Sequence, residues 1–285
     1  MMKPKFSIIT ATLNRKDFLP RCIEGVASQS YPFKEHIIVD GDSSDGTVEI
    51  LKSYANKYPH IRWISEKDNG ISSAFNKGLA MATGDIISII GDDDFYEPNA
   101  FETIVREFEQ NPSVAVVAGS CDHISNDGTV RFTVKAGFTS HRDLIEFWKN
   151  WGRTCFLPPQ STFFRREVID AVGGFEEADR YAMDYHHWIK ITRIFQVQIL
   201  DKVLAKFRWD EGTVSFTRLR EQEAEACAIS RRYWGSKLSS NYYRMGLSYF
   251  NHYWWNPLWI RVWNSLKYRT GLLFKFPTAE QSKEP

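Results

Sequence analysis

The chain has 285 residues, 43% apolar and 25% charged, with 36 basic and 35 acidic side chains for a net charge of +1. That length buries a substantial core, as one large domain or two small ones, and the composition is that of an ordinary globular protein. No signal peptide opens the chain and no run reaches the ~18–20 apolar residues that span a bilayer; the scattered cysteines Cys22, Cys121, Cys155 and Cys227 form neither a metal-ligand spacing nor a disulfide framework, which fits buried thiols in a reducing cytosol.

In chain order, strand and helix signals alternate. Phe6-Ser7-Ile8-Ile9-Thr10 reads as a strand, and Phe18, Leu19, Cys22, Ile23 and Val26 follow at helical spacing. His36-Ile37-Ile38-Val39 is a second buried strand, and Asp45-Gly46-Thr47 opens a helix bearing Val48, Ile50, Leu51 and Tyr54. A strand at Ile61-Arg62-Trp63-Ile64, a helix marked by Ile71, Ala74, Phe75, Gly78 and Leu79, and a strand at Ile86–Ile90 come next. Glu97-Pro98 starts a further helix through Phe108, before a strand at Val114–Ala118. Repeated strand–helix–strand units predict a mostly parallel α/β sheet with helices on both faces and right-handed crossovers. The rhythm changes after about residue 120. Asn126-Asp127-Gly128 suits a hairpin turn, Pro158-Pro159 precedes an apolar-aromatic segment, Asp184 to Phe195 reads as a helix, and residues from about 218 onward are helical and aromatic.

Asp92-Asp93-Asp94 stands at the C-terminal end of the Ile86–Ile90 strand, where open α/β sheets bind their ligands. Like charges so close repel unless a cation offsets them, and hard oxygen ligands on a short loop suit Mg²⁺ or Mn²⁺ shared with substrate phosphates. The turn Asp40-Gly41-Asp42-Ser43-Ser44-Asp45 has the look of a calcium loop, but the glycine that such a loop requires is absent and a strand, not a helix, precedes it. A strand-to-helix turn of this kind suits a nucleotide, whose imide N–H or ribose hydroxyls a carboxylate can accept. No Walker sequence, Gly-x-Gly-x-x-Gly or Gly-x-Ser-x-Gly occurs, which disfavours P-loop, dinucleotide and serine-hydrolase chemistry.

These motifs, in this order, resemble the family 2 glycosyltransferases of the GT-A fold, from about Phe6 to Ser215. The resemblance implies a Rossmann-like, mixed but mostly parallel sheet with a helical C-terminal extension. By that likeness Thr10, Thr12, Asn14 and Arg15 line the nucleotide from the first strand and loop, and Asp40 recognises the base. Asp68-Asn69-Gly70-Ile71 and Ala74-Phe75-Asn76-Lys77-Gly78 line the nucleotide–sugar pocket through Asp68, Asn76 and Lys77. Asp92 faces the ribose or sugar and, with Asp94, holds Mg²⁺ or Mn²⁺; Asp93 also contacts the donor. Asp184, in Ala182-Met183-Asp184-Tyr185-His186-His187-Trp188, is the expected catalytic base, accepting a proton from an acceptor hydroxyl in a single inverting displacement. Adjacent His186 and His187 point in different directions on a helix and suit packing better than chelation. Gly41 stands where many relatives carry a second aspartate, and Phe207-Arg208-Trp209-Asp210 lacks a histidine that some carry, leaving Arg208 to substitute.

The expected organisation is a nucleotide-sugar half over 1–120, an acceptor half over 121–217 and a basic aromatic tail over 218–285. No acidic residue occurs between Glu225 and Glu280, while Arg231, Arg232, Lys237, Arg244, Arg261, Lys267, Arg269 and Lys275 do. Asn256-Pro257 starts a helix whose Trp255, Leu258, Trp259, Val262, Trp263 and Leu266 form one apolar stripe, the pattern of a helix lying in an anionic membrane interface over 242–276. The competing reading packs this stripe on the catalytic domain or on a second copy as a homodimer. The expected activity is transfer from a UDP- or TDP-sugar to a saccharide or lipid-linked saccharide at the cytoplasmic face of the cell membrane, with no nucleic-acid partner. Other readings are a sugar nucleotidyltransferase, whose Gly-rich basic loop is missing at Thr10–Asn14, and a non-catalytic binding module.

Overall fold

The computed structural model describes residues 3–137, 140–147, 157–209, 213 and 217–250. The striped segment at 255–266 and Cys155 therefore lie outside the described residues. The chain divides into two compact units, Met1–Tyr233 and Trp234–Pro285.

The first unit runs β1 (Phe6–Thr12), α1 (Leu19–Ala27), β2 (Lys34–Asp40), α2 (Thr47–Lys57), β3 (Ile61–Ser65), α3 (Ile71–Met81), β4 (Ile86–Ile89), β5 (Phe95–Tyr96), α4 (Ala100–Gln110), β6 (Val116–Ile124) and β7 (Val130–Val134). It continues with α5 (His141–Ile145), a 3₁₀ turn (Pro159–Ser161), β8 (Thr162–Arg165), α6 (Arg166–Val172), α7 (Met183–Thr192), β9 (Val197–Arg208) and α8 (Leu219–Arg232). The described part of the second unit holds α9 (Ser240–Phe250), over which Trp234 packs edge-on against Tyr242 with ring centroids 5.7 Å apart.

The described strands form one nine-stranded sheet in the order β3-β2-β1-β4-β8-β6-β9-β5, with β7 pairing the outer part of β6. Strands β3, β2, β1 and β4 are mutually parallel, as the alternating strand and helix signals predict. Strand β8 then inserts antiparallel between β4 and β6, and β9 runs parallel to β6. The sheet is thus the expected mixed, mostly parallel one. Its consequence is positional: the C-terminal ends of β1, β2 and β4 share one edge, and β9 brings Arg208 alongside Ile124 from the other half of the sheet.

Side-chain alternation along β1 explains how both faces are covered. Phe6 and Ile8 join Cys22 and Val26 of α1 and Phe101, Ile104 and Phe108 of α4 in one buried cluster. On the opposite face Ser7 donates to Glu35, and Ile9 lies against α3. Phe101 anchors the first cluster: it stacks on Phe6 at 4.5 Å and meets Tyr96 and Phe163 edge-on at 5.1 and 6.2 Å. Cys22, Cys121 and Cys227 are buried. Among the described residues no helix is long and apolar enough to cross a membrane.

Removing the Phe101 ring should leave a cavity between three aromatic neighbours. Phe101→Ala is expected to lower unfolding free energy by about 3–5 kcal/mol, read as a lower urea midpoint at unchanged slope; a loss below about 1 kcal/mol would contradict this packing.

Candidate functional site

Two loops at the shared strand edge are interlocked by their own backbone. Asn14 and Asp42 take left-handed φ values of 55° and 72°, a conformation that short amide and carboxylate side chains tolerate. The Asn14 N–H donates to Ser43 Oγ at 2.7 Å, the Ser44 N–H donates to Asn14 Oδ1 at 2.9 Å, and the Arg15 N–H donates to Thr47 Oγ1 at 3.0 Å. Asp40 is fully buried at the foot of this assembly. Its carboxylate accepts the Ser43 N–H at 3.0 Å, the Ser65 hydroxyl at 2.7 Å and the Ser43 hydroxyl. Asp68 leans over Gly41, where a Cβ would stand 2.9 Å from Asp68 Oδ2, so the missing side chain at 41 makes room for the carboxylate of 68. Thr10 and Thr12 lie on one face of β1. Thr10 is the deeper, its hydroxyl 3.0 Å from His36 Nε2, while Thr12 sits at the strand end beside Asp92.

The acidic triplet turns tightly after β4, its Asp94 N–H bonding Gly91 O at 3.2 Å. Gly91 permits this, since a Cβ there would come within 2.6 Å of Asp94 Oδ2. Two arginines answer the triplet. Arg208, at the end of β9, donates Nε and Nη2 to Asp93 Oδ2 at 3.1 and 2.8 Å, donates Nη1 to Asn126 Oδ1 at 3.0 Å, and gives its backbone N–H to Asp94 Oδ1 at 3.0 Å. Arg15 approaches from the first loop, with Nε 3.5 Å from Asp92 Oδ1 and Nη2 3.5 Å from Asp93 Oδ2. Both guanidiniums face the Phe18 ring, Arg208 at 4.0 Å and Arg15 at 5.3 Å from its centroid, so one aromatic side chain orients the two cations.

The electrostatics separate structural from poised carboxylates. Glu35, buried at the opposite edge of the sheet, accepts from Ser7, Lys5, Arg62 and the Thr83 N–H; these outweigh its burial and push its pKa down to about 2. Asp92 is equally hidden but under-compensated. Desolvation and the neighbouring Asp93 push it up to about 7, against the opposing pull of Arg15, Thr12 and Arg208. Asp94 is raised well above the usual carboxylate range by burial and by both other aspartates. Negative charge at this turn is therefore incompletely offset, which is the condition under which a divalent cation gains most from binding. Among the described residues, no three His, Cys, Asp or Glu side chains converge as a ready-made metal cage. One or two carboxylates completed by substrate phosphates fit the donor set instead.

The second half of the site is built on α3 and α7. The Asn76 amide pairs like a peptide group with Phe175, donating to its carbonyl at 2.9 Å and accepting its N–H at 2.8 Å. Lys77 is held by Glu66 at 2.8 Å. Ser72 Oγ donates to Asp179 O at 2.9 Å, which ties the segment before α7 to the same sheet edge as the triplet. A cavity of about 290 Å³ opens there, lined by Asn69, Gly70, Ser72, Asp179, Arg180 and Tyr181 among others. Asp184 stands in the first turn of α7. Desolvation pushes its pKa up to about 6, offset in part by the Tyr185 N–H at 2.8 Å and reinforced by the Glu225 charge. His186 and His187 do point apart: His186 bridges Asp179 and the Tyr233 hydroxyl, while His187 stacks on Phe175 at 4.4 Å, where burial holds its pKa near 3.

The structure thus brings together Thr12, Arg15, Asp92, Asp93 and Asp94, and sets Asn14 and Asp40 in the adjoining turns. Asn76 and Lys77 are engaged with neighbouring chain segments. The sequence reading held Arg208 only as a substitute for an absent histidine and did not foresee its clamp on Asp93 or the partner Asn126. No motif marks Glu225, which lies in a helix read from composition as the start of the tail.

Residues 7–173 match the model of the family described as glycosyl transferase family 2. The chain belongs to this family. Its relatives include the chondroitin synthase of Escherichia coli, 26% identical over 204 residues covering 70% of this chain and 28% of that protein. The hyaluronan synthase of Pasteurella multocida is 23% identical over 249 residues, 87% of this chain and 24% of that protein. The chain spans about a quarter of the length of these two relatives. The fold is shared with a mannosyltransferase from Pyrobaculum calidifontis solved with GDP-Man and Mn²⁺, at TM-score 0.65 and 20% identity over 95% of this chain and 77% of that one. It is shared also with S. aureus TarS 1–349 in complex with UDP-GlcNAc, at TM-score 0.63 and 18% identity over 87% of this chain and 73% of that one. Both likenesses establish this chain's GT-A architecture.

The Arg208 fork holds a carboxylate that would otherwise be buried beside two others. Arg208→Ala is expected to destabilise the fold by about 3–5 kcal/mol in chemical denaturation, and Arg208→Lys, which keeps the charge without the fork, by less. Equal stability of Arg208→Ala and the parent would show that Asp93 needs no such partner.

Proposed function

We propose that the chain is an inverting glycosyltransferase that moves a sugar from a nucleotide-diphosphate sugar to an acceptor hydroxyl, with Asp184 as the base. Two unlike acidic sites carry this reading: the triplet after β4 and the lone carboxylate of Asp184 in the first turn of α7. The triplet is short of positive charge, and Asp184 is a single carboxylate whose pKa desolvation raises to about 6. The Ser72–Asp179 bond joins the segment leading to Asp184 to the edge that carries the triplet.

In this scheme the nucleotide lies across the ends of β1 and β2, with Asp68 offering an acceptor to the imide N–H of a pyrimidine base or to ribose hydroxyls, which favours UDP- or TDP-sugars. The buried Asp40 fixes the turn beneath it through Ser43 and Ser65. Arg15 lies within reach of the diphosphate. Asp92 and Asp94 would hold Mg²⁺ or Mn²⁺, which when bound supplies positive charge to the leaving diphosphate. Asp184 accepts the acceptor's proton as that oxygen forms a bond to the anomeric carbon and the bond to the diphosphate breaks, so the anomeric configuration inverts. A group with a pKa near 6 is well matched to such a step close to pH 7.

Residues 1–120 supply the donor side and 121–217 the acceptor side of this site. The Mn²⁺ of the mannosyltransferase complex and the nucleotide sugars of both neighbours support a nucleotide-sugar donor and a divalent ion. The acid-free stretch between Glu225 and Glu280, with its basic and aromatic residues, supports a lipid-linked saccharide as acceptor and attachment to the cytoplasmic face of the cell membrane.

Asp184→Asn is expected to lower kcat by roughly 10²–10⁴-fold while leaving UDP affinity within about twofold of the parent. Because the base must be ionised, parent turnover should rise with pH through about 6 and fall away below it. Undiminished turnover of Asp184→Asn, or a flat profile across that range, would contradict the assignment.

A further inference from the structure

Helix α8 begins where composition alone would place a tail, yet one of its faces is wired into the segment that leads to α7. Glu225 accepts three consecutive backbone N–H groups there: Arg180 on Oε1 at 2.9 Å, and Tyr181 and Ala182 on Oε2 at 2.6 and 2.7 Å. Two turns further on, Arg232 reaches Asp179 at 3.6 Å, and Tyr233 bonds His186 Nε2 at 2.7 Å. Ser230 donates to Ile145 O at 2.7 Å, fixing the same helix to the end of α5.

Three adjacent N–H groups converging on one side-chain carboxylate is a demanding arrangement. The amides must be turned to the same side, so the carboxylate sets the conformation of the loop as well as satisfying it. These are also the N–H groups immediately before the first turn of α7, which carries Asp184. Arg180 and Tyr181 in turn form part of the wall of the 290 Å³ cavity.

Resting on the reading of Asp184 as the base, we infer that Glu225 is a positioning residue: its carboxylate fixes the 180–182 segment, and with it both the direction of Asp184 and the adjoining cavity wall. Glu225 touches no reacting atom. It acts through the backbone it binds, and its negative charge also disfavours ionisation of Asp184.

The charged and titratable groups packed around α7 leave Glu225 with this role. From α5 come His141, paired with Thr192, Arg142, paired with Glu146, and Asp143, bonded to Ser140. From α6, Arg166 is bound to Gly84 O, with Glu167 and Asp170 on the same short helix. From the loop before α7, Asp179 is taken by His186 and Arg232, and Glu176 by Lys190 of α7 itself. On α8, Arg218 just before the helix pairs with Glu221, and Arg220, Glu223 and Arg231 complete the charged set. Among the described residues Glu225 is the one whose charge acts appreciably on Asp184.

The test uses the full chain and three variants, with kcat, KM and the pH profile of kcat measured beside thermal unfolding. Glu225→Gln removes the charge and one of the two acceptor oxygens. It should unfold within a few degrees of the parent, because Glu225 is partly exposed, while kcat falls roughly tenfold and the acid limb moves to lower pH. Glu225→Asp keeps the charge but retracts it by one methylene; kcat should fall with the acid limb near its parental position. A merely structural role would lower stability without moving that limb. Parental kcat and an unmoved limb in Glu225→Gln, with turnover lost in Asp184→Asn, would overturn the positioning role alone. Full turnover in Asp184→Asn would overturn the base and the positioning role together.

Discussion

Three carboxylates on consecutive residues cannot be kept at the end of a buried strand without cations beside them, and the rest of the molecule is arranged around that requirement. The clamp of Arg208 on Asp93, joined by Arg15 from the first loop, offsets part of the charge. It leaves Asp92 and Asp94 raised, Asp92 to about 7, because burial and mutual repulsion still exceed what two guanidiniums return. A fully compensated cluster would behave as Glu35 does, low in pKa and inert. An uncompensated one would unfold the turn. In the proposed function, the intermediate case is what receives an additional cation and the phosphates that accompany it.

The same clamp couples the two halves of the sheet. Arg208 reaches the triplet because β9 runs parallel to β6 on the far side of the antiparallel β8, so residues more than a hundred positions apart meet at one edge. Phe18 faces both guanidiniums and limits where each can go. On the other side, α3 is joined to the segment before α7 by Ser72 and Asp179, and to the turn just after α6 by Asn76 and Phe175. Helix α3 and the chain between α6 and α7 are in this way held together by direct hydrogen bonds.

What could be read from the sequence follows from range. The parallel strands β1 to β4 and their helices announce themselves by local periodicity, and the triplet by its place after a short apolar run. Strand β8 has four residues and β5 two, too few for a period to show, so the antiparallel insertion was not legible. Alternation along β1 makes Thr10 the deeper neighbour of Thr12, paired with His36 beneath the loops. Asn76 sits within a recognisable motif, but only the fold reveals that its amide matches the Phe175 peptide group. Arg208 and Glu225 depend on contacts between distant segments and carry no spacing signal. Composition even concealed Glu225, since α8 opens a stretch whose later part is basic and aromatic.

The central claim is that the triplet, through Asp94 and its neighbours, receives a metal-bridged nucleotide diphosphate. Calorimetric titration of the full chain with UDP, with and without Mn²⁺, tests it most directly. Binding of UDP should strengthen at least tenfold when Mn²⁺ is present, a coupling of about 1.4 kcal/mol, and Asp94→Asn should abolish that gain while leaving the fold intact. UDP affinity that is indifferent both to Mn²⁺ and to the loss of the Asp94 carboxylate would contradict the account.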